Sequence, residues 1–122
     1  MAAARMSRMV QVSVMDNLGQ PFWGAQIDFL SDGNLLATLN NSTGKALIEL
    51  PADMRLDVRV SAAGALQTVR LRPDVLHADV QLNFPRQKFV TAPRPVAECP
   101  DGTQGQPCVD CPVGGSIIRV CG

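Results

Sequence analysis

The chain has 122 residues, 46% of them apolar, and its formal net charge at pH 7 is zero. That size suits one modest domain with a short appendage. The charge balance supplies no general attraction to nucleic acid or to an anionic membrane, and no apolar run approaches the ~18 residues of a membrane-spanning helix.

The opening stretch MAAARMSR has Arg5 and Arg8 among its alanines, so it lacks the continuous apolar core of a secretory signal. Residues 1–8 read as a flexible tail, and the protein reads as cytoplasmic. If the cysteines are disulfide-bonded and a signal has been removed, it reads as secreted. From residue 9 the pattern changes to period-two alternation, the signature of half-buried strands. MVQVSVM puts Val10, Val12 and Val14 on one face. DNLGQP turns the chain. GAQIDFL follows, with Ala25, Ile27 and Phe29 inward and Gln26 and Asp28 outward. SDGN is a tight-turn signal, LLATLN a third strand, NSTG a turn and KALIELP a fourth strand. RLDVRVSA alternates most cleanly, with Leu56, Val58 and Val60 inward. Gly64 breaks the chain before ALQTVRL, and HADVQLNF, ending at Phe84, is the seventh strand. Asp28, Glu49 and Asp57 take outward positions, where solvated charge is expected.

Seven short strands at roughly ten-residue spacing, without a helical period, predict an all-β domain. One sheet would leave its apolar face wet, so two sheets must pack together. The expected fold is a seven-stranded antiparallel β-sandwich over residues 9–84. The composition shifts at Pro85. Residues 85–98 (PRQKFVTAPRPVAE) form a proline-rich extended linker, and residues 99–122 form a small cysteine-rich hairpin module.

Several of these stretches also resemble a known family. D-x-x-G-x-P-x-x-G-A at Asp16–Ala25, G-x-A-x-I-x-L-P at Gly44–Pro51, V-x-V-S-A-x-G at Val58–Gly64 and the last alternating strand are similar to the carboxypeptidase regulatory-like domains. The resemblance covers about residues 10–84. It implies a transthyretin-like (prealbumin-like) sandwich, related in architecture to immunoglobulin-like folds, and an accessory, interaction or structural role. It names no catalytic residue and does not reach the cysteines.

Searching for chemistry yields little before the tail. His77, the one histidine, stands near Asp74 and Asp79 at the start of the last strand and reads as a surface residue, so no catalytic residue is assigned. Phe22 and Trp23 lie where the first turn enters the second strand. They read as sandwich-end packing, with a contact surface as the sharper alternative. The tail is stronger. Cys99, Cys108, Cys111 and Cys121 have the spacing C-x8-C-x2-C-x9-C, and PVGG can turn SIIRV back so that Cys121 approaches Cys108. A segment this small and Gly/Pro-rich needs a crosslink. A structural zinc held by the four thiolates is the expectation for a reducing cytoplasm, with two disulfides among the same residues as the competing reading.

The function expected is a non-enzymatic binding or assembly module, a candidate subunit of a larger assembly. Its partner is a protein or a second copy met through edge strands and the 85–98 segment, with no nucleic acid and no membrane. Two alternatives stay open: thiol–disulfide or metal-dependent activity at the C-x-x-C, and a substrate protein whose cysteine-rich tail is modified by a partner enzyme.

Overall fold

The structure is a computed structural model that describes residues 6–62, 64–83 and 94–122. Its strands are β1 (Ser7–Met15), β2 (Ala25–Ser31), β3 (Asn34–Ser42), β4 (Lys45–Pro51), β5 (Leu56–Ala62), β6 (Ala65–Leu71), β7 (His77–Gln81), β8 (Val96–Glu98), β9 (Gln104–Gly105), β10 (Cys108–Val113) and β11 (Ser116–Cys121). They form two sheets. One has the order β10-β11-β4-β1-β7, the other β6-β5-β2-β3-β8-β9. Among the described residues no helix is long and apolar enough to cross a membrane.

The seven strands read from alternation are all present. The expected seven-stranded sandwich is corrected: the described residues form eleven strands in the two sheets, because the C-terminal segment, expected as a hairpin module beside the sandwich, adds β8 and β9 to one sheet and β10 and β11 to the other. The expected all-antiparallel pairing is corrected too. β7 runs parallel to β1, with Gln11 opposite His77 and Val14 opposite Val80. The chain reaches β7 from β6 in the opposite sheet, so no hairpin obliges it to run against its neighbour.

Local chemistry explains the turns. Asp32 and Gly33 between β2 and β3 both have positive φ, 49° and 83°. This pattern of a two-residue primed turn is one that Asp-Gly adopts at low cost. The Asp16 side chain organises the first loop: its Oδ1 accepts from the amides of Leu18 and Gln20, each at 2.9 Å. That accounts for Asp16, and Gly19 in the same loop takes φ 81°, a conformation glycine adopts freely.

Inward residues of both sheets merge into one core. Val10, Val12 and Val14 of β1 pack in a layer with Ile27 and Phe29 of β2, Leu39 of β3, Ile48 of β4 and Val58 and Val60 of β5, all fully buried. The C-terminal strands share that core through Ala97, Cys99, Val109, Cys111, Ile118 and Val120. Each such side chain contributes roughly 1.5–3 kcal/mol on burial, set against the entropy of ordering the chain.

Among the described residues four buried positions are polar or charged: Arg8, Asp16, Asp28 and Ser42. Ser7 and Arg8, expected in the tail, open β1, and Arg8 is only 7% exposed. Its Nη1 donates to the carbonyls of Arg72 (2.9 Å), Pro73 (2.8 Å) and Val75 (3.3 Å), and its Nη2 to that of Met54 (3.0 Å). The guanidinium thereby ties the β4–β5 and β6–β7 connections together at one end of the sandwich. Burial lowers its pKa from the ordinary arginine value, and Asp74 partly opposes this.

Candidate functional site

The cysteine-bearing hairpin is built from β10 and β11. Gly114 and Gly115 between them both have positive φ, 52° and 84°, so the connection is again a two-residue primed turn. The register sets Val113 opposite Ser116 and carries Cys121 back to face Cys108. β11 then pairs with β4, with Arg119 opposite Glu49 and Cys121 opposite Leu47.

Strand geometry decides what the four sulfurs can do. Successive side chains of a strand point to opposite faces, so residues three apart point opposite ways. Cys108 and Cys111 therefore diverge across β10, and the C-x-x-C does not act as one unit. Cys111 points into the core and bonds Cys99, which follows β8 in the other sheet, with Cα atoms 5.5 Å apart. This disulfide crosses between the sheets, and its cysteines are 3% and 0% exposed. Cys108 points outward and bonds Cys121 directly across the hairpin, with Cα atoms 4.1 Å apart. Both cysteines of that pair are half-buried.

The expectation of structural zinc at Cys99, Cys108, Cys111 and Cys121 is thus corrected. No cysteine among the described residues is free, and no group of three or more His, Cys, Asp or Glu gathers there to hold a metal ion. Two disulfides are compatible with an oxidising environment, and they lend no support to the cytoplasmic reading.

The loop that brings Cys99 into place is a tight turn. The Cys99 amide donates to the Thr103 carbonyl at 2.8 Å, and the Gly102 amide donates to the Cys99 carbonyl at 3.0 Å. The Asp101 carboxylate accepts from the Thr103 amide at 3.0 Å. The backbone and side-chain donors of Thr103 hold its pKa below the ordinary carboxylate value.

The other expected residues are dispersed. Phe22 is buried in the core at 6% exposure, and Trp23 beside it is half-buried. His77 Nε2 lies 2.7 Å from Asp79 Oδ1 on an exposed part of β7. Of the 85–98 segment, residues 85–93 lie outside the described residues, as does Phe84 at the end of the expected seventh strand, while Val96–Glu98 form β8 against β3.

Sequence reasoning missed the burial of three charged residues, Arg8, Asp16 and Asp28. Arg8 carries no local signal, because its carbonyl partners come from residues 46 to 67 positions away. Asp28 does face outward, but it is 5% exposed and not solvated. Arg59 donates to its Oδ2 through Nε (3.1 Å) and through a second guanidinium nitrogen (2.9 Å), and Thr38 and Gln26 donate to its Oδ1. Alternation alone shows the direction of a side chain and not what its neighbours lay over it. Comparison with protein-family models and with curated proteins finds no match for this chain.

Proposed function

We propose that the protein is a non-enzymatic assembly module that joins a second copy of itself along β6, in an oxidising compartment. The observation carrying this reading is the character of that edge. β6 has seven residues without proline or bulge, and Leu66, Gln67, Thr68 and Arg70 are exposed. The other sheet edges are poorer templates: β9 has two residues, β7 has five, and β10 carries Pro112. Sheet proteins ordinarily blunt such edges, since unpaired amides and carbonyls recruit strands from other chains.

The register shows which groups are offered. Ala62 faces Ala65 across a two-residue connection, so hydrogen-bonded pairs alternate from there. Leu66, Thr68 and Arg70 then direct their amides away from β5. Antiparallel pairing of two β6 strands about Thr68 sets Leu66 opposite Arg70 of the other copy, with no like charges face to face. The motif resemblance belongs to the same reading: a carboxypeptidase regulatory-like, transthyretin-like sandwich serving as a structural or interaction unit, extended by a disulfide-held hairpin.

Sedimentation velocity over a concentration series tests this. The native protein should associate reversibly, and Thr68→Pro should be monomeric while keeping the β-sheet circular dichroism. Proline there removes an outward amide and leaves the β5 ladder intact. A native protein that stays monomeric throughout, or a variant that associates equally well, would overturn the proposal.

A further inference from the structure

The two disulfides occupy opposite chemical situations. Cys99–Cys111 lies between the sheets, with both residues almost fully buried. Cys108–Cys121 lies on the outer face of the other sheet, half-buried. Beside it is a cavity of about 370 Å³, with Cys121, Gln11, Lys45 and Leu47 among its lining residues. Cys121 is among the residues that line this cavity and Cys108 is not, which places the Cys121 end of the bond at its wall. The Lys45 ammonium favours an anion entering there. Position in the hairpin matters as well. The Gly114–Gly115 turn closes one end, and Cys108–Cys121 closes the other.

We propose that Cys108–Cys121 is a thiol–disulfide exchange site for a dithiol reductant, and that Cys99–Cys111 is a permanent staple. One thiolate of the dithiol attacks Cys121 Sγ, the Cys108–Cys121 bond breaks, and Cys108 leaves as a thiolate that takes a proton from water. The second thiol of the reductant loses its proton and attacks its own sulfur in the mixed disulfide, releasing the Cys121 thiolate, which is protonated in turn. The reductant ends as a disulfide, and the protein gains two electrons and two protons. The fold survives because β11 keeps its pairing with β4 and the inter-sheet bond still anchors β10. What loosens is the open end of the hairpin, including the ladder-extending bond from the Gly122 amide to the Pro107 carbonyl (2.9 Å).

The test treats the folded, oxidised protein with dithiothreitol without denaturant, blocks thiols with iodoacetamide at intervals and maps the label by peptide mass. Cys108 and Cys121 should be labelled roughly ten times faster than Cys99 and Cys111 or more, since access governs attack on a disulfide. The doubly labelled species should keep the circular dichroism of the oxidised protein. The double variant Cys108→Ser/Cys121→Ser should fold and lose the fast phase. Simultaneous labelling of all four cysteines, earlier labelling of Cys99 and Cys111, loss of the fold with the first pair, or a fast phase surviving in the double variant would each overturn the proposal.

Discussion

Arg8 shows how much one side chain can organise. Four carbonyls from two connections converge on its guanidinium. Replacing Arg8 by Met keeps the stem volume and removes all four bonds, leaving the Arg72 carbonyl only its bond from the Val75 amide (3.0 Å). Lost charged hydrogen bonds of this kind cost about 2–4 kcal/mol in total once relaxation and water entry are allowed for. Urea unfolding of Arg8→Met should show a lower midpoint at unchanged slope. Asp101 gives a milder effect with a definite sign. Its carboxyl pKa is depressed in the folded turn, so the turn is favoured above the unfolded pKa and loses that support as pH falls through the lowered one. Amide exchange at Thr103, compared with pH-matched model peptides, should report the loosening on acidification. Arg8 is not legible in the sequence, since its partners are distant carbonyls.

Among the elements, legibility followed how local each cause was. The alternation in β1, β2 and β5, and the Asp-Gly and Gly-Gly turns, are properties of a few consecutive residues, and these elements fall where the alternation places them. The partners of β7 and β11 are set by where the chain crosses between sheets, so parallel pairing with β1 and docking of β11 on β4 left no trace in the pattern. The cysteines belong to the second class. Their spacing favoured a metal, with two disulfides as the competing reading, and the placement of Cys108 and Cys111 on opposite faces of one strand decides for the disulfides. Gly115 tests the hairpin turn. A valine there must take φ near 84°, which strains a β-branched residue by about 1–2 kcal/mol, and thermal unfolding of Gly115→Val should be lowered accordingly. Cys111→Ser tests the staple. Removing the inter-sheet bond should cost about 2–4 kcal/mol, and amide exchange should quicken in β8 and β10 before β2 and β5.

For the molecule as a whole, stability rests on one continuous core. Val58 sits at its centre, fully buried on β5. Val58→Asp places an unpaired carboxylate there at a cost of several kcal/mol, on the order of the whole stability of a small domain. The variant should lack the cooperative thermal transition of the native protein in circular dichroism.

The two disulfides also interleave along the chain, 99 with 111 and 108 with 121. Each covalent loop therefore encloses one end of the other. A protease that cuts any single peptide bond between Cys99 and Cys121 produces two pieces that stay in one covalent molecule. Mass spectrometry of the oxidised, nicked protein should show the intact mass plus one water, and full reduction should release the fragments. Opening Cys108–Cys121 alone changes this outcome for cuts beyond Cys111: the end piece is then held only by its strand contacts and can be shed. Redox state would thus decide whether a nick in the last strand is silent or becomes a truncation.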